Sequence, residues 1–377
     1  MTNKKKILIV ADLPTHPIDG GNKMCIIQNA ELLRNLGYDV YFLLYNRDSI
    51  PQHQIEATKD YWGDHFLYFA TTGINRFIWK VKNRFIPHLR GKVDFYTPRK
   101  LLRFVNKAHS THKFSGMIVN YIWMSRLAEC NIPTKAIYTH DVFSNRAQRI
   151  ASSYKWMSFS PNEEALALQR FKYVLAIQNI EAQFFKYLTP TSEVITIYSP
   201  VNFVDQPIEN NKNILFFSGG GELNLLGIRW FINEIFPLIK EIIPEAKLLI
   251  GGKICSTLNK NELPVDVELT GLYDNPSDFY AKGNIVINPI YSGSGLKIKT
   301  IEAIAHGKWV VVHPHSAEGI YKQSTAPLQV AKFKEDFAQK VFDGFNSISL
   351  ELWKRDCQDY IGSYNFYISE IYKQIFL

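Results

Sequence analysis

The sequence is poor in cysteine and has no long apolar run. Its 377 residues include only four cysteines, Cys25, Cys130, Cys255 and Cys357, and no two of them form a CxxC pair. This spacing excludes a disulfide framework and a cysteine zinc site, and it is typical of a reducing compartment. The first apolar run, Ile7 to Ala11, is too short for a signal peptide or a membrane span. We therefore expect a cytoplasmic protein.

Other signatures are also missing. No GxGxxG motif follows a predicted strand, which argues against a nicotinamide oxidoreductase. Asp, His and Cys residues are not gathered at metal-ligand spacing, so we expect neither a metal nor a bound cofactor. What is present is an ordinary globular composition, with 46% hydrophobic and 21% charged residues. The length exceeds what one hydrophobic core usually supports, which favours two domains.

Positive charge is concentrated in the first half of the chain. Residues 1–200 hold 26 Lys and Arg against 15 Asp and Glu, whereas residues 201–377 hold 17 against 20. Such an asymmetry indicates that the N-terminal half meets an anionic partner, for which phosphate, a membrane surface and nucleic acid are the candidates.

Short β-branched and aromatic runs alternate with helical patterns along the whole chain, which is typical of parallel α/β sheets. One helical pattern extends from Leu225 to Ile243. Twelve strands are predicted, namely Lys6–Ala11, Val40–Tyr45, Phe66–Ala70, Gly116–Asn120, Ala136–His140, Val174–Gln178, Val194–Ser199, Ile214–Ser218, Ala246–Gly251, Val267–Leu269, Ile285–Pro289 and Trp309–His313.

A polar, proline-bearing stretch from Ser199 to Lys212 interrupts this alternation, which then starts afresh. We therefore predict two similar α/β domains, residues 1–199 and 200–349. An aromatic-rich helical segment, residues 350–377, follows them and is expected to pack back toward the N-terminal domain.

The loop after the first strand contains Gly20 and Gly21 and precedes a helix running to about Asn35. Paired glycines allow close approach of a ligand, and a helix N-terminus offers unpaired N–H groups, so the loop suits a diphosphate. A simple turn fits the same residues.

His140 and Asp141 stand at the carboxyl end of a predicted strand, where open α/β sheets bind ligands. The imidazole could take up a proton or hydrogen-bond to a hydroxyl. Alternatively, Asp141 caps a helix and His140 merely packs.

A glycine turn in the second half brings together cations and a carboxylate. Gly293 and Gly295 precede a predicted helix whose first turn carries Lys297 and Lys299, with Glu302 further on. Two cations oppose the dipole of a helix N-terminus, which indicates that an anion such as phosphate binds there. Glu302 could then accept hydrogen bonds from ribose. The alternative is a solvated helix start.

The stretch from Ile74 to Lys107 holds ten basic residues and one acid, with aromatic residues interleaved. This composition fits an anionic membrane interface, single-stranded nucleic acid or a solvated basic face over buried rings. We favour membrane or lipid-phosphate contact over nucleic acid, centred on Arg76, Lys80, Lys82 and Arg84.

Four stretches resemble one family. They are residues 225–252, residues 267–312, YTHDVFSNR at 138–146 and residues 163–185. The chain resembles the retaining group 1 glycosyltransferases of family four, in the branch that makes bacterial polysaccharides and cell-surface glycans. The resemblance implies a GT-B fold, in which an N-terminal acceptor domain and a C-terminal donor domain, both Rossmann-like, face a central cleft.

The resemblance also implies a site in which no metal takes part. His140, Lys299 and Glu302 would be the catalytic residues, with His140 at the transferred sugar and Glu302 at the ribose. The remaining donor-binding residues would be Gly20, Gly21, Gly219, Gly293, Ser294, Gly295, Leu296 and Lys297. The chain departs from the family pattern at Ser292, where a glutamate is usual, and at Ser218 to Glu222, where an Arg and a Lys are usual.

We therefore expect a glycosyltransferase that moves a sugar, such as a hexose, from a nucleotide-diphosphate donor to a glycan or lipid-linked acceptor. It would retain anomeric configuration and bind peripherally to the inner face of the cell membrane. Two alternatives stay open, a nucleotide-sugar epimerase of the same fold and a catalytically silent glycan- or partner-binding subunit.

Overall fold

The computed structural model describes residues 4–47, 49–71, 73, 81, 91–149, 157–293, 296–346 and 349–376. The chain forms two compact units. The first comprises Met1–Pro200 and Tyr367–Leu377, and the second comprises Val201–Phe366. Each unit holds a parallel sheet with helices in its connections, so the predicted α/β class is confirmed.

The first unit contains a seven-stranded sheet in the order β3-β2-β1-β4-β5-β6-β7, and every pair in it is parallel. A parallel strand that is covered on both faces has a continuous apolar sequence, and in β1 five consecutive residues are buried. The strands are β1 Lys6–Ala11, β2 Asp39–Asn46, β3 Phe66–Ala70, β4 Gly116–Asn120, β5 Thr134–Tyr138, β6 Tyr173–Ala176 and β7 Glu193–Thr196.

Helices and short 3-10 turns connect these strands. The sequence marks some of their starts, as in α5, where the Ser160 side chain accepts from the Glu163 N–H and Pro161 takes the first helical position. The helices are α1 Gly21–Asn35, α2 Gln52–Trp62, α3 Arg99–His112, α4 Arg146–Arg149, α5 Pro161–Leu168 and α6 Asn179–Leu188. The 3-10 turns include Val93–Tyr96 and Ile122–Glu129.

The last residues of the chain complete the core of the first unit. Phe376 is buried against β4, where a Cβ at Gly116 would lie 2.5 Å from its ring. The Tyr372 hydroxyl donates to Asn29 Oδ1 at 2.6 Å. Glycine at position 116 is therefore what allows the C-terminal segment to approach the sheet.

The second unit contains a six-stranded parallel sheet in the order β10-β9-β8-β11-β12-β13. Its strands are β8 Asn213–Phe217, β9 Lys247–Gly251, β10 Val267–Gly271, β11 Ile285–Asn288, β12 Trp309–Val312 and β13 Gln329–Val330. Its helices are α7 Glu222–Trp230, α8 Phe236–Ile242, α9 Pro276–Tyr280, α10 Ile298–Ala305, α11 Pro314–Ala317, α12 Lys334–Asn346 and α13 Leu350–Phe376, of which the residues up to Phe366 belong to this unit.

All twelve predicted strands are present, and the helix predicted from Leu225 to Ile243 is confirmed, since residues 222–242 are helical throughout. A π-helical turn, Phe231–Ile235, lies within it and divides it into α7 and α8. Pro237 follows this turn and has no N–H for a regular helical hydrogen bond, which explains the division. The two-residue strand β13 was not predicted. In the described residues, no helix combines the length and apolarity that crossing a membrane requires.

Candidate functional site

The carboxyl ends of β1, β4 and β5 lie side by side in the first unit, because these strands are neighbours in the sheet. Ligands of open parallel sheets bind at this edge. The loop after β1 ends at Gly20, and Gly21, predicted to lie in the loop, is the first residue of α1. His140 follows β5, and Tyr121 contacts both His140 and Asn22, so the structure brings these predicted residues to the same edge.

The predicted strand ended at His140, but β5 ends at Tyr138. His140 lies in the loop that follows, where its backbone has a left-handed φ of 64°. Its Nε2 lies 2.8 Å from Asn120 Oδ1. Asn120 Nδ2 donates to the Val10 carbonyl at 2.9 Å, so it is the amide oxygen that faces the imidazole. Nε2 therefore carries the proton, and Nδ1 is left as a hydrogen-bond acceptor.

The imidazole of His140 is neutral at physiological pH. Its ring stacks on Tyr121 at a centroid distance of 4.4 Å and lies 4.7 Å from the ring of Tyr138. Burial lowers the pKa of His140 to about 3, because an imidazolium would lose its hydration there. A histidine with so low a pKa is a weak base, so it suits accepting a hydrogen bond from a hydroxyl better than taking up a proton.

Two carboxylates fix the loop after His140. Asp141 accepts from the Val142 N–H at 2.8 Å and forms an ion pair with Arg146 Nε at 2.8 Å. Arg146 is the first residue of α4, so Asp141 lies too far upstream to be its N-cap, and the interpretation of Asp141 as a helix cap is wrong. Glu164, which is fully buried, accepts from the backbone N–H groups of residues 143 and 144 at 2.8 and 2.7 Å. Sequence reasoning missed Glu164, because its partners lie about twenty positions away.

Tyr121 connects His140 to the glycine loop and was also missed. Its ring stacks on His140 and on Trp123, the latter at 4.4 Å, and its hydroxyl accepts from Asn22 Nδ2 at 3.0 Å. Its backbone has a φ of 74°, which is strained for a residue with a side chain. A non-glycine residue held in this way between two loops is a further candidate for the site.

The glycine loop opens onto the start of α1. Gly20 is the N-cap and makes no side-chain capping bond. The Lys23 side chain points toward the preceding loop, where its Nζ forms an ion pair with Asp19 at 2.9 Å and donates to the Pro17 carbonyl at 3.1 Å. The Lys23 N–H donates to Asn22 Oδ1 at 2.9 Å, so the helix dipole and the N–H groups before Lys23 are what a diphosphate would meet at this N-terminus.

The second unit has a cavity of about 170 Å³ at the carboxyl ends of β8 and β11. Several predicted donor-binding residues line it. Its lining is Phe216, Phe217, Ser218, Gly219, Asn224, Tyr280, Val286, Ile287, Asn288, Ile290, Leu296, Lys297, Ile298, Lys299, Thr300 and Val310.

Lys299 and Glu302 form an ion pair beside this cavity. Lys299 Nζ donates to both carboxylate oxygens, at 2.9 and 2.8 Å, and lies 4.3 Å from the ring centre of Phe217. Three residues apart on α10, the two side chains share a helix face. The Lys299 side chain is 39% exposed and that of Glu302 is 20% exposed, so a ligand can reach both.

Lys297 lies outside the helix. The prediction that both lysines belong to the first turn is wrong, since α10 begins at Ile298 and Lys297 is its N-cap, with a ψ of 77°. Gly293 has a φ of 122°, and a Cβ there would lie 3.7 Å from Lys297 Nζ. Leu296 is half-buried at the cavity, whereas the predicted Ser294 and Gly295 lie outside the described residues.

The glycine run after β8 ends where α7 begins. Gly221 is the N-cap and makes no side-chain capping bond, and Asn224 Nδ2 donates to the Gly219 carbonyl at 3.0 Å. Backbone N–H groups thus remain at this helix start, in the place where the family usually has an Arg and a Lys.

The predicted basic residues Arg76, Lys80, Lys82 and Arg84 lie outside the described residues. The same basic stretch continues into α3, which is described. Leu101, Leu102 and Val105 face the core there. The opposite side, called here the basic face of α3, consists of the exposed Arg99, Lys100, Arg103 and Lys107.

The second unit matches a known family. Residues 211–344 match the sequence model of the family described as "Glycosyl transferases group 1". An uncharacterized 44.6 kDa protein in a cps region of Klebsiella pneumoniae is 24% identical over 371 residues, covering 91% of this chain and 92% of that protein.

Solved structures resemble the whole chain. Sucrose-phosphate synthase from Thermosynechococcus elongatus superposes with a TM-score of 0.64 at 13% identity, covering 99% of both chains. A TarM mutant from S. aureus has a TM-score of 0.65 at 12% identity, again covering 99% of both chains. HepE from Anabaena has a TM-score of 0.60 at 13% identity, covering 98% of this chain and 99% of that one. The chain therefore has the GT-B fold, and its residues 211–344 match the group 1 glycosyltransferase family model.

Proposed function

We propose that this protein transfers a sugar from a nucleotide-diphosphate donor to a glycan or lipid-linked acceptor. The observation that carries the proposal is the pairing of Lys299 with Glu302 at the cavity of a group 1 glycosyltransferase domain. A cation for phosphate and a carboxylate for ribose hydroxyls stand there side by side, at the edge of the sheet where ligands bind.

Catalysis would rest on stabilising the departing diphosphate. Lys299, the N-terminus of α10 and the glycine backbone after β8 supply positive charge and N–H donors without a metal. Their effect increases as the leaving group gains charge, so they lower the barrier and do not merely strengthen binding. His140, neutral and with Nδ1 as an acceptor, would orient a hydroxyl of the transferred sugar.

The donor and acceptor classes are inferred from the relatives. HepE was solved with UDP-glucose, TarM with UDP, and the pneumococcal transferase GtfA with UDP and GlcNAc. These ligands favour a UDP-hexose as donor, and we propose retention of anomeric configuration. The relative in a cps region favours an acceptor in cell-surface polysaccharide synthesis.

We further propose that the protein works in the cytoplasm on an acceptor at the membrane surface. The basic face of α3 supports this step, because it presents cations on one side of a helix whose other side is buried. Each Lys or Arg near an anionic membrane contributes about 1 kcal/mol of binding. The four residues Arg76, Lys80, Lys82 and Arg84 would add to the same contact.

Thermal shift with a panel of nucleotide-sugars tests the donor, because a ligand of the folded state raises the melting temperature. The donor so found is then incubated with the protein, and the products are analysed. Release of free sugar, or transfer with the donor's anomeric configuration, supports the proposal, and EDTA should not reduce the rate. Interconversion of free nucleotide-sugars would support an epimerase instead.

A catalytically silent binding subunit is a second candidate, favoured by Ser292 at the position of a family glutamate. Turnover of the donor by the unmodified protein separates the two. A silent subunit would bind donor and turn over none, whereas an active transferase hydrolyses or transfers with Ser292 in place.

A further inference from the structure

Tyr280 holds a hydroxyl that the fold of the second unit does not use. It is the last residue of α9, is fully buried and lines the cavity described above. Within the described residues, its hydroxyl has no hydrogen-bond partner. A buried hydroxyl without a partner destabilises the folded protein, so we look for a role for it in the ligand-bound protein.

The Tyr280 ring is fixed in place by its neighbours. It stacks on His306 at a centroid distance of 4.3 Å, and the ring of Phe217 lies 5.9 Å away. His306 is itself fixed, because Nδ1 donates to the Glu302 carbonyl at 2.7 Å and Nε2 lies 3.1 Å from Ser277 Oγ. The hydroxyl therefore occupies a defined position beside α10.

Glu302 is the charged group beside this hydroxyl, because His306, on which the Tyr280 ring stacks, follows Glu302 by one helical turn on the same face of α10. The pKa of Tyr280 lies well above its ordinary value, first because the ring is buried and second because the negative Glu302 lies nearby. The hydroxyl therefore keeps its proton and can act as a donor. At rest, the Glu302 carboxylate is occupied by Lys299, which donates to both of its oxygens.

We propose that Tyr280 is a positioning residue for Glu302 in the donor complex. The inference rests on the proposed function, in which Lys299 moves to the diphosphate and Glu302 accepts from ribose. Once Lys299 leaves, the Tyr280 hydroxyl donates to the carboxylate and holds it toward the ribose. A carboxylate has about four acceptor sites, so Glu302 can accept from Tyr280 and from two ribose hydroxyls together.

The test compares nucleotides that differ only in the ribose hydroxyls. UDP, ADP and GDP are titrated into the full-length protein by calorimetry, and the tightest binder is paired with its 2′,3′-dideoxy analogue. Tyr280→Phe should weaken binding of the complete nucleotide about five- to tenfold, the effect of one lost hydrogen bond. Tyr280→Phe should weaken binding of the dideoxy analogue less than binding of the complete nucleotide, because the analogue offers Glu302 no ribose hydroxyl to accept from.

Two further variants separate positioning from folding. Glu302→Ala combined with Tyr280→Phe should bind no more weakly than Glu302→Ala alone, because alanine removes the acceptor and the two groups act through one contact. Tyr360→Phe is the control, since this hydroxyl donates to the Tyr321 carbonyl at 2.6 Å. It should lower the melting temperature and leave affinity unchanged, whereas Tyr280→Phe should not lower the melting temperature.

The outcomes distinguish this inference from the proposed function. If the wild-type protein binds none of the three nucleotides, the proposed function fails, and the inference fails with it. If the wild type binds and Tyr280→Phe binds equally well, or loses the dideoxy analogue to the same extent, the positioning role is refuted while the proposed function stands.

Discussion

Replacing the two lysines near the glycine turn one at a time should have unequal effects. Lys299 lies on α10, on the face it shares with Glu302 and beside the cavity. Lys297 precedes the helix and lies near Gly293. We expect Lys299→Ala to lower turnover more than Lys297→Ala, because we propose Lys299 as the principal contact of the departing diphosphate.

The magnitude follows from the kind of contact. A hydrogen bond to a charged group contributes about 1.5–3 kcal/mol, and each 1.4 kcal/mol or so is a factor of ten. Lys299→Ala should therefore reduce kcat/KM about 10- to 150-fold. The effect is near the lower end of this range if Lys299 contributes mainly to donor binding, because Lys299 must first give up its ion pair with Glu302. It is near the upper end if Lys299 contributes mainly in the transition state, where the diphosphate carries more charge.

Stability should change little in the same variant. The Lys299 side chain is 39% exposed, and ion pairs at exposed positions contribute about 0.2–1 kcal/mol. Its contact with the Phe217 ring adds about 0.5–1 kcal/mol. A change of melting temperature above about 8 °C would thus indicate a folding defect.

Steady-state rates with the best donor measure the effect, and melting curves verify folding. Lys334→Ala is the control, because Lys334 also pairs with a glutamate, Glu234, at 3.2 Å in the same unit but does not line the cavity. If Lys297→Ala is the more damaging change, or if Lys299→Ala has the rate of the control, the assignment of Lys299 is wrong.

Four further results are expected. Glu302→Ala should weaken nucleoside-diphosphate binding by about 1.5–3 kcal/mol without unfolding the protein, and unchanged affinity by calorimetry would contradict its ribose role. Reversing the charges on the basic face of α3 should reduce sedimentation with anionic vesicles at low salt and leave donor affinity unchanged. If vesicle binding depends on neither the salt concentration nor the mutations, the basic face of α3 is only solvated. Gly116→Ala should cost about 1–3 kcal/mol in urea unfolding, because the new methyl group would lie 2.5 Å from the Phe376 ring, and a neutral result would mean that the C-terminal segment is not packed there. His140 has a folded pKa of about 3, below its ordinary value, so the stability it confers is complete above about pH 6.5 and is lost as the pH falls toward 3. His140→Gln should therefore flatten the decline of unfolding free energy between pH 6.5 and 4, and an unchanged slope would show that the pKa of the imidazole is not lowered as described.

The sequence alone predicted the sheets and part of the site, because both depend on local patterns. Buried parallel strands are short, continuous apolar runs, so all twelve predicted strands are present. The common face of Lys299 and Glu302 follows from helical spacing, and the structure places their side chains in contact. The resemblance that pointed to a glycosyltransferase likewise depended on contiguous stretches.

Predictions were wrong where one residue decides a boundary. β5 ends before His140, and α10 starts after Lys297. Strand β13 has only two residues, which is too short for any periodicity to indicate. Ends of elements depend on backbone geometry and tertiary contacts that a hydrophobic pattern does not contain.

Only the tertiary structure decided which groups act together. Asn120 sets the tautomer of His140 across two neighbouring strands, and Glu164 fixes the loop after His140 from a separate helix. Tyr280 lies beside Glu302 because its ring stacks on His306, one helical turn further along. These partners lie about twenty positions apart in the chain, and strand order brings them together. The sequence indicated candidate residues for a sugar-nucleotide site, whereas burial and strand order determined their protonation, orientation and partners.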